Sequence, residues 1–234
     1  MKLEKITNNS ESQRRRWYDD ACGAAHGLDL LGERWSLLVM RELMFGPKRF
    51  GDLRAGLPGI SANILTQRLE GLEAAGVLLR RRLPPPASTQ VYELTEWGRE
   101  SEAIFQALGR WAVRSPMHDP SLPFSAASLM LSFRTMLDAE RAQGIEARIG
   151  FRLGREEFRA ELKAGRIEIT AGPAEGADAT FTGEPRSIAA AVYGGQRLEA
   201  LEEAGALSIE GDHALARWFT SLFPLPSKAE IPRP

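Results

Sequence analysis

"GISANILTQRLEGLEAAG", residues 59–76, is one amphipathic turn-to-turn helix. Leu65, Leu69 and Leu72 fall at i, i+4 and i+7 on one stripe, while Asn63, Thr66, Gln67 and Glu70 lie opposite. Ser61 is placed to cap the N-terminus and Gly76 to end the helix at its C′ position. An ordinary solvated face would carry Lys and Glu, which form helices well and hydrate cheaply. Short amides and a hydroxyl in the first two turns are suited to reading a surface of donors and acceptors.

Working outward, "HGLDLLGERWSLLVMRELMFG" predicts a short helix, a break at Gly32 and a longer helix that ends at Gly46-Pro47. In that second helix Trp35, Leu38, Val39 and Leu43 are expected inward. "RFGDLRAGLPG" adds two turns with Phe50, Leu53 and Leu57 inward, and Pro58-Gly59 turns the chain into the quoted helix. After Gly76 come two strand-like runs: Val77 and Leu79 begin one, and Val91 and Tyr92 lie in its antiparallel return. "PPPAS" between them must be an exposed tip, because proline cannot donate to a ladder. From about Thr95 to Ser115 one helix is expected, with Trp97, Ile104, Phe105, Leu108, Trp111 and Ala112 at helical spacing. Trp35, Phe50 and Trp111 are read as core residues without chemistry.

Helix, helix, turn, helix, hairpin is the order of a winged helix-turn-helix, in which the helix after the turn enters the major groove. Asn and Gln can pair bidentately with adenine, and Thr can meet a thymine methyl or a phosphate. Asn63, Thr66 and Gln67 are therefore the candidate base-reading residues, with Ser61 and Ala62 at the start of the same helix as further candidate DNA contacts. Lys48, Arg49 and the wing residues Arg80, Arg81 and Arg82 are the candidate phosphate contacts, which set affinity and register.

The motifs agree with a known family. Cys22, Gly32 to Trp35, Leu43 to Phe50, Leu57 to Ser61, Leu65 to Glu73 and Tyr92 to Gly98 follow the order of the HxlR-type winged-helix regulators, which residues 18–115 resemble. The resemblance implies a homodimeric DNA-binding transcription factor, with the first helix and the 95–115 helix forming much of the seam. Its partner would be double-stranded DNA with a near-palindromic operator, and repression is the expected mode. The three prolines at the hairpin tip depart from the charged or polar tip of relatives, which puts minor-groove insertion in doubt.

Charge is distributed to match. Residues 1–116 hold 17 Lys/Arg against 14 Asp/Glu, and residues 117–234 hold 13 against 17, within a net charge of −1. The positive half is the one suited to a polyanion. "SPMHDPSLP" then marks a boundary. Beyond it, "IEARIGFRL", "FRAEL", "RIEITA" and "ADATFTG" alternate apolar and polar residues, predicting an antiparallel sheet with one wet face. Helices at 125–142, 184–193 and 212–222 should flank it, giving an α+β domain. "ADATFTGEPRSIAAAVYGG" and "GALSIEGDHALARWFTSLF" resemble the sterol-carrier-protein type 2 fold, which implies a small apolar effector in a tunnel lined by Ile149, Phe151, Phe181, Val192, Trp218 and Phe219. Periodicity alone leaves open whether those side chains enclose a tunnel or fill a solid core.

The expected division is a flexible segment at 1–17, a winged-helix DNA-binding and dimerisation domain at 18–116, the sterol-carrier-like α+β domain at 123–224 and a tail at 225–234. No apolar run is long enough for a bilayer. With no secretory signal and a single cysteine, a cytoplasmic chain without a disulfide framework is expected. His26, His118 and His213 are scattered, without zinc-site spacing, and no phosphate loop or nucleophile elbow appears; no metal, no cofactor and no enzyme activity are expected. Cys22 has two readings: a buried inert thiol, or an exposed thiolate that senses oxidants. The alternative for the whole chain is a lipophile carrier whose helical half only dimerises.

Overall fold

The computed structural model describes residues 18–120 and 122–230; the expected segment 1–17 lies outside them. Helix α1, Gly23–Leu31, is followed at the break by α2, Ser36–Leu43, and by α3, Phe50–Gly56. Helix α4, Ala62–Ala74, is the one quoted first: the Ser61 hydroxyl accepts from the Ile64 N–H, and Leu65, Leu69 and Leu72 are buried. Gly76 has φ +74°, a conformation in which a side chain is strained, so it ends the helix as expected. Strands β1, Leu78–Arg82, and β2, Gln90–Leu94, form the antiparallel wing. An isolated bridge from Lys48 to Tyr92 ties the wing to the loop between α2 and α3.

The expected 95–115 helix is two helices, α5, Glu96–Glu100, and α6, Glu102–Ala112, which meet at Ser101. The Ser101 hydroxyl donates to the Gly98 carbonyl at 2.5 Å. Gly98 sits so close under the hairpin that a Cβ there would lie 2.1 Å from the Val77 carbonyl oxygen. Only a glycine allows the first short helix to tuck beneath β1 before the chain turns away.

The second half begins with α7, Ala126–Met136. Strands β3, Ala147–Leu153, β4, Glu156–Lys163, β5, Arg166–Ala171, β6, Ala179–Gly183, and β7, Leu207–Gly211, form a sheet in the order β5-β4-β3-β6-β7. Helices α8, Pro185–Val192, α9, Leu198–Glu203, and α10, His213–Thr220, complete the α+β layer. The sheet is mixed rather than wholly antiparallel: β6 runs parallel to β3 in register Phe151 to Phe181. The connection through β4 and β5 returns β6 to the free edge of β3, a placement that alternation along each strand cannot reveal.

Two apolar cores result, one around Val39, Met40, Leu43, Leu65 and Leu69, the other around the sheet, and half-buried Phe45 touches both. The second core is an aromatic cluster. Phe151 and Phe181 stack at 5.6 Å, Phe219 lies 5.7 and 6.0 Å from them, and Phe133 lies 4.6 Å from Phe223. Tyr193 caps it with a 2.8 Å hydrogen bond to Ser132, and burial pushes its hydroxyl pKa well above the ordinary phenol value.

The halves are joined by polar contacts as well as by Phe45. Glu42, on α2, is fully buried. It accepts from Arg41, from Lys48 at 3.3 Å and from the Ser125 hydroxyl at 2.7 Å. Lys48 also reaches Glu156 of β4 at 2.6 Å. A Cβ on Gly56 would come within 2.6 Å of the Glu42 carboxylate, so α3 packs directly against this network. Arg134 of α7 pairs with Glu102 at 2.7 Å and lies over the Phe45 ring at 4.7 Å. Residues 227–229 of the expected tail also return to the first half: the Ala229 N–H donates to the Arg114 carbonyl at 2.7 Å, and Lys228 donates to those of Val113 and Ser115.

Candidate nucleic-acid interface

Asn63, Thr66 and Gln67 are all exposed on α4, on the side away from its three leucines. The helix is held from behind by the apolar core and from the side by Arg68, which pairs with Glu33 at 3.0 Å. Ser61 and Ala62 begin the same helix, with Ser61 exposed and its hydroxyl committed to the cap. A helix backed by a packed core and carrying a polar, exposed face of this kind can lie in a groove.

The wing arginines are exposed and ion-paired. Arg80 holds Glu73 at 2.6 Å, which raises its already high pKa, and it lies over the Tyr92 ring at 5.8 Å. Arg81 holds Glu93 at 2.6 Å, and Arg82 donates to the Ser88 carbonyl at 3.2 Å. Exposed pairs of this kind are weak and solvent-screened, so a phosphate can take either guanidinium at little cost. Arg49 is exposed immediately before α3, with its N–H donating to Asp52.

Lys48 is a correction. Expected beside the DNA backbone, it is 12 % exposed and held between Glu42 and Glu156, so it belongs to the junction. The carboxylates that recruit it lie 6 residues before and 108 residues after, and nothing in the local pattern announces them. Glu42 itself was not singled out: a glutamate at that point of an amphipathic helix reads as solvated. Leu38 is a second correction; it is 38 % exposed, while Met40 takes its expected place in the core beside Val39 and Leu43.

Trp111 is a third. Read as core, it is 72 % exposed, with Ile104 and Leu108 on the same stripe also exposed, and neither α1 nor α6 contributes a buried residue. Trp35 and Phe50 are half-buried against the first core. In the second half Ile149, Phe151, Phe181 and Phe219 are fully buried against one another, while Val192 and Trp218 are half-buried at the margin of that cluster. Neither the surface groove lined by Trp35 and Phe45 nor the one lined by Gln196 and Arg197 has any of these six residues in its wall.

Cys22 is exposed at the N-cap of α1. Backbone N–H groups of Ala25 and Ala24 donate toward its sulfur and lower the thiol pKa. No cluster of His, Cys, Asp and Glu able to hold a metal occurs among the described residues, and no helix there is long and apolar enough to cross a membrane.

Residues 30–119 match the model of the HxlR-like helix-turn-helix family. The HTH-type transcriptional regulator YodB of Bacillus subtilis is 41% identical over 83 residues, which are 36% of this chain and 74% of that protein. The chain belongs to the HxlR-like family. A second relative, the HTH-type transcriptional regulator sll1512 of Synechocystis, is 41% identical over 87 residues, 37% of this chain and 64% of that one. A solved structure of the reduced form of YodB covers 43% of this chain and 100% of its own, at 35% identity and a TM-score of 0.39. Residues 131–224 match the model of the SCP-2 sterol transfer family. This HxlR-like chain is thus a helix-turn-helix transcriptional regulator whose partner is DNA, with an SCP-2-type domain following the reader.

Proposed function

We propose that the protein binds a near-palindromic duplex as a two-fold dimer, with α4 of each copy in successive major grooves. The observation that carries this reading is the exposed Asn63, Thr66 and Gln67 face on a helix fixed from behind. Ser61 and Ala62 bring the helix N-terminus to the phosphates, Asn63, Thr66 and Gln67 read base edges, and Arg49 with Arg80, Arg81 and Arg82 hold the backbone. The exposed stripe of Ile104, Leu108 and Trp111 supports a seam built from α6, with α1 beside it. A bound dimer excludes other proteins from its site without further machinery, so repression is the simplest mode. In this reading residues 18–116 read and dimerise, and residues 123–224 are an accessory domain through which a small apolar effector acts.

Duplex binding by the full chain at several salt concentrations tests the proposal. Asn63→Ala should lose about 1–3 kcal/mol on the selected site and relax preference at one base pair. Arg49→Ala should weaken selected and random duplexes alike and lower the salt slope by about one. A chain that binds lipophiles but no duplex at any salt would be a carrier, and the proposal would fail.

Cys22 supports a second reading for the same regulator. An exposed thiol whose ionised form is favoured by two backbone N–H groups reacts with electrophiles and oxidants faster than an ordinary cysteine. Alkylation at neutral pH, followed by duplex binding, tests it. Unchanged binding after complete modification would leave the thiol without a role in regulation.

A further inference from the structure

A groove of about 920 Å³ lies between the reader and the SCP-2-type domain. Its first wall is the helix-turn-helix itself: Phe45 to Lys48 from the loop before α3, and Gly56 to Pro58 from the turn that leads to Ser61. The opposite wall is the β3–β4 turn with Leu153, Arg155 and Glu156, and the linker residues Leu122 to Ala126 close one side. The volume is that of a small-molecule site. Trp35, Phe45 and Phe124 are half-buried along it, and Leu38 and Leu122 stand exposed in it.

The charges around the groove are unequal in their commitments. Arg41 and Lys48 are already held by Glu42, and Lys48 also by Glu156. Asp52 accepts from the Arg49 N–H at the start of α3, and Glu184 stands at the N-cap of α8, where the helix's partial positive charge favours its carboxylate although it makes no side-chain cap bond. Arg155 is exposed and makes no hydrogen bond or ion pair with a described residue. A carboxylate entering between the aromatic side chains finds Arg155 unpaired, with Lys48 beside it to be shared with Glu156. An amine would find Glu184 and Asp52, each at a helix N-terminus that already favours its carboxylate, and would stand beside Arg155, a cation with no ion-pair partner among the described residues.

We propose that this groove is the effector site, and that it takes an aromatic carboxylic acid whose ring lies along Trp35, Phe45 and Phe124 and whose carboxylate pairs with Arg155. This rests on the DNA-binding reading only for its consequence, since binding itself needs no DNA. The occupant touches Leu57 and Pro58, three to four residues before the Ser61 cap, and competes with Glu156 for Lys48. An occupant that loosens this junction alters how the turn before α4 is held against the second domain, and it shifts DNA affinity to the extent that its contacts differ between the DNA-bound and the free protein.

The test uses the full chain and 2-naphthoate, with 2-naphthylmethanol and 2-naphthylmethylamine as the neutral and cationic counterparts. Calorimetry without DNA should show 2-naphthoate binding with a negative heat-capacity change and at least tenfold tighter than either counterpart. Arg155→Gln should remove that preference, and Leu38→Asp, at a position already exposed, should weaken all three, both with unchanged circular dichroism. A duplex selected by the protein from a random pool should then bind about tenfold more weakly in saturating 2-naphthoate. Equal binding of the three compounds overturns the carboxylate, and naphthoate binding that survives both variants overturns the groove. No binding at millimolar concentration overturns the site. Failure to select any duplex would instead overturn the DNA reading, and calorimetry would still decide the groove.

Discussion

Trp111→Ala should dissolve the proposed dimer while leaving the monomer folded. Trp111 is 72 % exposed in the single chain. A tryptophan carries about 150–250 Å² of buriable surface, so about 110–180 Å² per copy remains to be covered. If the seam covers half of that, burial at about 25 cal/mol/Å² contributes about 1.5–2 kcal/mol per copy. A two-fold dimer uses the residue twice, giving about 3–4 kcal/mol, or a dimer dissociation constant raised by about 10²–10³. Sedimentation equilibrium of the full chain measures this, and thermal unfolding of the same samples measures the fold. Since α6 buries no residue within the single chain, monomer stability should change by less than about 0.5 kcal/mol. A variant that dimerises as before would place the seam elsewhere. A variant that unfolds would show that Trp111 is packed within its own chain.

Glu42→Ala should destabilise the chain by about 3 kcal/mol, the low end for removing one member of a buried pair, because Lys48 keeps Glu156; urea unfolding measures it, and Glu42→Gln should recover part through the Ser125 hydrogen bond. Tyr193 is held protonated in the folded state, so the unfolded chain alone ionises above about pH 10. Stability is then fully present below that pH and falls as pH rises beyond it, and in Tyr193→Phe the added alkaline loss should vanish in unfolding curves at pH 8 to 11. Phe219→Ala opens a hole among Phe133, Phe151, Phe181 and Phe223 and should cost about 3–5 kcal/mol in denaturant unfolding. Cys22 should alkylate with an apparent pKa below that of a free thiol, checked by the pH profile of iodoacetamide labelling; an ordinary profile would mean that the Ala24 and Ala25 N–H groups do not face the sulfur.

The parts of the fold that rest on local chemistry were legible. Ser61, three leucines at helical spacing and Gly76 define α4 to within a residue, because cap, stripe and stop all act within one helix. The wing was legible for the same reason, since prolines at 84–86 can only be a tip. What escaped depends on partners far away in sequence. Ser101 splits a helix because Gly98 must fit beneath Val77. The parallel pairing of β3 with β6 is chosen by the whole sheet. Lys48 has the pattern of a phosphate ligand, but Glu42 on the preceding helix and Glu156, 108 residues on, hold it at the junction. Trp111 and Leu38 have core-like spacing, yet a stripe does not say whether it faces its own chain, another copy or an open groove.

The hydrogen bond from Ala229 to Arg114 has an architectural consequence. The chain leaves the reader at residue 114 and comes back to the same carbonyl 115 residues later, so the second domain starts and finishes at one point. A segment closed in this way asks little of the loop that hosts it, since bringing its ends together adds no further entropy cost. Moved as a unit from residue 115 to residue 228, it should fit an exposed loop of an unrelated scaffold once the face that meets Phe45, Glu42, Lys48 and Glu102 is made polar. The same closure means that lengthening the 115–123 linker should change little in where the second domain sits, because the returning residues 227–229 and the Glu42, Lys48 and Phe45 contacts hold it in place.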